Sequence, residues 1–80
     1  GEFDMVIYDK ASKNCRIYEI KHSTEANEKQ TLHLRDAEKC QIVEKRFGPI
    51  SGKFVLYRGK DTFAEGVQYL NVENFLCGLK

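Results

Sequence analysis

With 80 residues, the chain is long enough for one domain and too short for two. Its apolar share of 41% and charged share of 31% suit a globular protein, and because no apolar run could span a bilayer we expect no membrane partner. The net charge of +1 does not point to nucleic acid, since domains that bind it tend to have a pI above about 9, although a local charge cluster would suffice. Three widely spaced cysteines without a CxxC pair argue against a disulfide framework or a zinc site, so we expect reduced thiols and a cytoplasmic protein.

The first predicted element is a β-hairpin formed by residues 3–9 and 15–22. Apolar side chains occur on both alternating faces of each segment. This pattern is typical of interior strands in a sheet that is covered by helices. We therefore expect both strands to lie inside the sheet.

Charged residues gather at the open end of this hairpin. A register that pairs Asp9 with Asn14, and leaves residues 10–13 as the loop, also pairs Asp4 with Glu19. Because side chains alternate between the two faces of a strand, residues two positions apart share a face. Four charged side chains are therefore expected side by side: Glu2, Asp4, Glu19 and Lys21.

A helical segment follows the hairpin. Residues 27–47 are predicted to be helical, with an interruption near Arg35, because Asp36 is a good N-cap for a new helix. Gly48 and Pro49 end the segment, the glycine as a left-handed cap and the proline as a residue that cannot continue the helix.

The remainder of the chain is predicted to alternate strand and loop before a last helix. Residues 53–57 form a third strand, which should run parallel to the second through a right-handed helical connection. Residues 59–66 are predicted as a loop, and residues 67–70 as a short strand at an edge of the sheet. Asn71 then caps a final helix over residues 72–79.

Hairpin, helix, strand, strand and short helix, in this order, predict an α/β domain with a mixed β-sheet flanked by helices. Phe75 and Leu76 belong to the apolar stripe of the last helix, so we expect both in the core. Residues 1–80 are expected to form this single domain, and the abrupt start at a strand suggests that it is the end of a longer chain.

The charged open end of the hairpin could hold a metal ion for phosphodiester cleavage. Mg²⁺ takes one or two carboxylates and keeps several waters, and Asp4 and Glu19 can supply those carboxylates from neighbouring strands. The backbone carbonyl of Ile20 is a possible further ligand, and Glu2 a possible additional acid. The ion would polarise a phosphoryl oxygen and lower the pKa of a bound water. Lys21 would orient the attacking water or stabilise the developing charge.

These residues carry a family resemblance. Asp4 before an apolar strand, followed by Glu19-Ile20-Lys21 near the end of the next, resembles the PD-(D/E)xK superfamily of nucleases with the restriction-endonuclease-like fold. More narrowly, the chain is similar to a domain of unknown function at the C-terminus of prokaryotic AAA-type ATPases, in which the final strand and segment look like residues 54–59 and 71–76. The resemblance implies a truncated form of that fold, DNA cleavage that depends on Mg²⁺ or Mn²⁺, and an ATPase domain upstream in the same chain; this domain itself would hold no ATP.

The chain departs from the superfamily pattern in two ways. The superfamily fold usually begins with a helix that can donate another acid, whereas this chain starts after it, and Phe3 stands where the proline of the motif would be. The resemblance also implies that many such domains are degenerate, and only bind DNA or a partner, or pack on the ATPase. A third interpretation remains open, in which Lys21 neutralises Glu19 and Asp4 in a solvated cross-strand charge cluster.

Other polar residues are weaker candidates. Lys29 and Gln30 lie in the first predicted helical turn, where a phosphate would be favoured, and Arg58 and Lys60 follow the third strand. Each of these side chains could contact a backbone phosphate of DNA. The alternative for all of them is a solvated surface position.

The histidines and cysteines are predicted to be structural. His22 projects from the face opposite Lys21, and His33 lies near the apolar side of its helix, where it would pack while partly buried. Neither has a partner at metal-ligand spacing. Cys40 would need a histidine base to act as a nucleophile, so a small apolar role is expected for it and for Cys15.

Overall fold

The structure, a computed structural model, describes residues 3–26 and 28–78, apart from the side chains of Glu28 and Gln30. Over these residues the chain forms an α/β fold with a five-stranded mixed sheet, which confirms the predicted class. No helix in this part of the chain is long and apolar enough to cross a membrane. The elements in chain order are β1 (Met5–Asp9), β2 (Asn14–Ile20), α1 (Glu28–Leu34), α2 (Ala37–Phe47), β3 (Ile50–Tyr57), β4 (Thr62–Ala64), β5 (Val67–Asn71) and α3 (Val72–Gly78).

The hairpin has the predicted register. β1 and β2 are antiparallel with Asp9 opposite Asn14, and residues 10–13 form the loop. The prediction that both strands are interior is wrong for β1, which lies at the edge of the sheet in the order β1-β2-β3-β5-β4. On the helix side of β1, Val6 packs against the core, while Tyr8 lies 6.5 Å from Phe47 of α2, ring centre to ring centre, and remains 44% exposed.

The predicted break in the helical segment is confirmed. The Asp36 side chain accepts a hydrogen bond from the Lys39 backbone N–H at 3.1 Å, which caps α2, and α2 ends at Phe47 before Gly48. The two helices carry the chain from β2 to β3, and those strands are parallel as expected. The predicted helix start at residue 27 lies outside the described residues.

The core lies between the sheet and the α1–α2 pair. Alternate residues of β2 face it, and the opposite face of the sheet is covered by α3, where Phe75 packs 5.6 Å from Tyr18. The predicted core position of Leu76 is wrong, because α3 turns Phe75 toward the sheet and leaves Leu76 56% exposed. The core cluster consists of Phe3, Cys15, Ile17, Leu34, Cys40, Val43, Val55, Tyr57, Val67 and Tyr69.

The buried, small apolar role predicted for Cys15 and Cys40 is confirmed. All three cysteines are free, and Cys15 and Cys40 are buried while Cys77 is exposed. Burial raises the pKa of both buried thiols, which disfavours the reactive thiolate.

The second half of the sheet contains a strand that the sequence prediction missed. Residues 59–66 were expected to form a loop, but β4 lies within them and pairs with β5, so β5 is interior rather than at an edge. Glu65 and Gly66 connect the two strands with positive φ angles of 54° and 78°. A two-residue turn of this kind matches the twist of an antiparallel pair, which is why a hairpin forms here.

We expect Gly48→Ala to destabilise the fold more than Gly66→Ala. Both glycines have a positive φ, which costs an alanine about 1 kcal/mol. A Cβ at position 66 would meet nothing, whereas one at position 48 would collide with the carbonyl oxygen of Lys13 in the hairpin loop. Urea unfolding should therefore show a loss of at least about 2 kcal/mol for Gly48→Ala. Equal losses for the two variants would contradict the close approach of the two loops.

Candidate active site at the open end of the hairpin

The predicted site lies at one end of the strands of the sheet. The parallel strands β2, β3 and β5 have their carboxyl ends there, and β1 begins there because it runs antiparallel to β2. The Lys21 N–H donates to the carbonyl of Leu56 at 2.9 Å, and the Arg58 N–H donates to the carbonyl of Ser23 at 2.9 Å. These bonds join the segments that follow β2 and β3. In open α/β sheets, ligands bind at the carboxyl ends of the strands.

The side chains of Asp4 and Glu19 meet at this end of the sheet. Asp4 precedes β1, and its Oδ2 accepts a hydrogen bond of 2.9 Å from the Ile20 N–H, which anchors the carboxylate on β2. Glu19 is only 4% exposed, because its side chain projects to the same face of β2 as Ile17, toward the core. Three predicted site residues, Asp4, Glu19 and Ile20, are therefore adjacent.

The two carboxyl groups shift each other's pKa in opposite directions. Burial, together with a hydrogen bond to Asp4 and the charge of Asp4, raises the pKa of Glu19 to about 7, while the charge of Lys21 opposes the rise. The hydrogen bond with Glu19, followed by that from the Ile20 N–H, lowers the pKa of Asp4. Near neutral pH, Asp4 is therefore ionised and Glu19 is partly protonated. A proton on Glu19 is what allows it to donate to Asp4.

His33 and Lys39 complete the surroundings of Glu19. The Nε2 atom of His33 contacts Oε1 of Glu19, and the Nζ atom of Lys39 lies 2.9 Å from Nδ1 of the same ring. The packing role predicted for His33 is present, because its ring lies edge-on to Phe3 at 5.3 Å, but the polar role was missed. A signal for it existed: Glu19 lies on the buried face of its strand, and a buried carboxyl group needs a hydrogen-bond partner from the helix that covers it.

The other predicted residues lie around the site or outside the described residues. Arg58 and Lys60 are exposed after β3, at the same end of the sheet as Lys21. Lys29 is exposed on α1. His22 is exposed next to Lys21. The position of Glu2 and the side chain of Gln30 lie outside the described residues.

The carboxylate pair fits a magnesium ion by its chemistry. Within residues 3–26 and 28–78, no three His, Cys, Asp or Glu side chains are arranged to hold a metal ion. Mg²⁺ needs fewer, since one or two carboxylates with several waters satisfy it. Asp4 is exposed while Glu19 is buried, so an ion would approach the pair from the side of Asp4.

A separate cavity of about 260 Å³ lies at the beginning of β3. Its lining includes Arg35, Lys53 and Glu65, and none of the predicted site residues. An ion pair of 3.5 Å between Arg35 and Glu65 spans two of its walls, and Lys53 is the further charged residue of the lining.

We expect Glu19→Gln to stabilise the metal-free protein at alkaline pH. Because the folded state binds its proton more tightly than the unfolded state, the stability contributed by protonated Glu19 is lost as the pH rises from about 4.5 to about 7. The neutral amide avoids that loss. Urea unfolding in EDTA at about pH 8 should show a gain on the order of 2 kcal/mol, which shrinks to almost nothing near about pH 4.

The matched control is Glu25→Gln, in an exposed loop, which should change stability by less than about 0.5 kcal/mol. If Glu19→Gln were no more stable than the original chain at any pH, ionisation of the buried Glu19 would not lower the free energy of unfolding as inferred.

Comparisons of the chain with models of known protein families, with curated proteins and with solved structures found no match. The resemblance to PD-(D/E)xK nucleases therefore rests on Asp4, on Glu19-Ile20-Lys21 and on the order of the elements.

Proposed function

We propose that this chain is a metal-dependent phosphodiester hydrolase domain that acts on DNA. The observation that carries the proposal is the hydrogen bond of Asp4 to the Ile20 N–H, which places its carboxyl group beside that of Glu19, with Lys21 close enough for its charge to act on both. Acids can hold a metal ion that activates water, and a lysine can stabilise the charge that develops on the phosphoryl group, so the three residues supply the groups that such a reaction needs.

Each of these residues has a defined part in the proposed reaction. Asp4 and Glu19 would hold Mg²⁺ or Mn²⁺, with the Ile20 carbonyl as a further ligand. When bound, the ion would polarise a phosphoryl oxygen and lower the pKa of a water. Lys21 would orient the attacking water and stabilise the negative charge that develops on the phosphoryl group. Glu19 would have to lose its proton before it could act as a ligand.

The charge around the site supports a polyanionic substrate. Three exposed cations, Lys21, Arg58 and Lys60, lie at the carboxyl ends of β2 and β3. Phosphate contacts by lysine and arginine position a nucleic acid without reading its sequence. The net charge of +1 is small, so these local cations would have to supply the attraction.

An AAA-type ATPase domain upstream in the same chain is part of this proposal. Its support is the resemblance together with the order of elements that the resemblance implies: a hairpin, a helical connection and a strand parallel to the second hairpin strand. A cytoplasmic location is part of the same proposal, because three free cysteines suit a reducing compartment.

A second candidate function is a non-catalytic accessory domain that binds DNA or a partner. One observation favours it: Glu19 already has two partners, His33 and Asp4, so the buried carboxyl group is satisfied without an ion. In that case the acids would hold the hairpin on α1, and the exposed cations alone would bind.

Metal binding tests the site itself. Titration calorimetry with Mn²⁺ should show binding to the chain, and Asp4→Asn should weaken it at least about tenfold, because a charged ligand is lost. Asp9→Asn is the matched control, since Asp9 is an exposed acid at the opposite end of the hairpin. Failure of the original chain to bind Mn²⁺, or equal effects of the two variants, would exclude the proposed site.

Cleavage separates the two candidate functions. In a plasmid-cleavage assay with Mg²⁺, Lys21→Ala should lower the rate roughly 10²- to 10³-fold and leave Mn²⁺ affinity nearly unchanged, since Lys21 acts on the developing charge. Lys10→Ala, in the hairpin loop, should cleave like the original chain. DNA binding without any cleavage that depends on Lys21 would favour the accessory domain.

A further inference from the structure

We infer that His33 is a positioning residue of the acid pair, because its Nε2–H holds Oε1 of Glu19 while Lys39 holds the other side of the ring. The expected effect on metal binding rests on the proposed function. The geometry of the His33 ring does not depend on the proposed function, and it can be tested separately.

The direction of the hydrogen bonds follows from Lys39. A lysine ammonium group has three donors and no acceptor, so at 2.9 Å the Nδ1 atom of His33 must be the acceptor. A neutral imidazole that accepts at Nδ1 carries its proton on Nε2. That proton points to Glu19, and Lys39 therefore selects the tautomer of His33 that can donate to the carboxyl group.

The corner between α1 and α2 holds both residues in place. The Asp36 side chain caps α2 through the Lys39 N–H at 3.1 Å, and the Asp36 N–H donates to the His33 carbonyl at 3.3 Å. The Phe3 ring packs against the imidazole, and the Cys40 thiol donates to the Leu34 carbonyl at 3.3 Å. The cap that starts α2 thus also sets the distance between the lysine and the histidine.

Holding one oxygen of Glu19 limits the rotation of its carboxyl group beside Asp4. In metal sites, groups that hydrogen-bond to the ligands orient them, and their removal typically weakens metal binding 10- to 100-fold. His33 has this relation to Glu19: it touches a proposed ligand and lies behind it, on the helix side of the sheet. Its role is therefore to orient the ligand rather than to react.

The first test needs no metal. In ¹⁵N NMR of the imidazole rings at about pH 8, His33 should show the fixed Nε2–H tautomer, while the exposed His22 should show an average of both tautomers. Lys39→Met should move the His33 signals toward that average. A His33 ring that is averaged, or protonated on Nδ1, in the original chain would overturn the inference.

The second test compares two amide variants of His33 that differ in the reach of the side-chain N–H. Glutamine places its side-chain N–H near the position of Nε2, whereas the shorter asparagine reaches only to the position of Nδ1. His33→Gln should therefore bind Mn²⁺ within about threefold of the original chain, and His33→Asn should bind at least about tenfold more weakly. Circular dichroism should show both variants folded; if His33→Asn is not, Lys39→Met takes its place in the same titration.

The outcomes distinguish this inference from the proposed function. If the original chain binds Mn²⁺ and His33→Asn binds it equally well, the positioning role is wrong while the metal site stands. If the original chain binds no Mn²⁺, the proposed function fails, and the NMR tautomers alone decide whether Lys39 and His33 orient Glu19.

Discussion

The buried carboxyl group of Glu19 is the constraint around which this end of the protein is arranged. An ionised carboxylate loses its hydration when it is buried, and it needs hydrogen bonds or opposite charge in return. Glu19 receives a hydrogen bond from His33 on the helix above it and the opposite charge of Lys21, whereas the neighbouring Asp4 favours its protonated form. Burial still dominates, which is why its pKa stays high.

The strand register and the helical connection bring the partners of Glu19 to it. Asp4 reaches Glu19 because the hairpin register continues past the last paired residues of β1, and His33 reaches it because the chain crosses from β2 to β3 through two helices on one face. A carboxyl pair built in this way has two stable uses. It can share a proton, as the raised pKa of Glu19 indicates, or it can release that proton to water when a cation binds. The proposed hydrolase and the accessory domain differ in which use occurs.

Much of the fold was predictable, because the relevant signals are local. Strand alternation and a four-residue loop predicted the hairpin register, and Asp36 and Gly48 predicted the ends of α2. The errors involve neighbours in space. The sequence does not show that β1 has a strand on only one side, because apolar residues on both faces of this half-buried edge strand give the same pattern as those of an interior strand. The β4 strand was missed because its three residues are too few to show a period.

The faces that the hairpin residues share can be read from the amino-acid sequence, which predicts Asp4 beside Glu19 with Lys21 nearby. That result needs only the two-residue period of a strand and one register. The burial of Glu19 and its contact with His33, which Lys39 contacts in turn, become visible only in the folded chain. The physical reason is that the contact depends on how α1 is rotated and where it lies over the sheet, and packing of the whole core sets both.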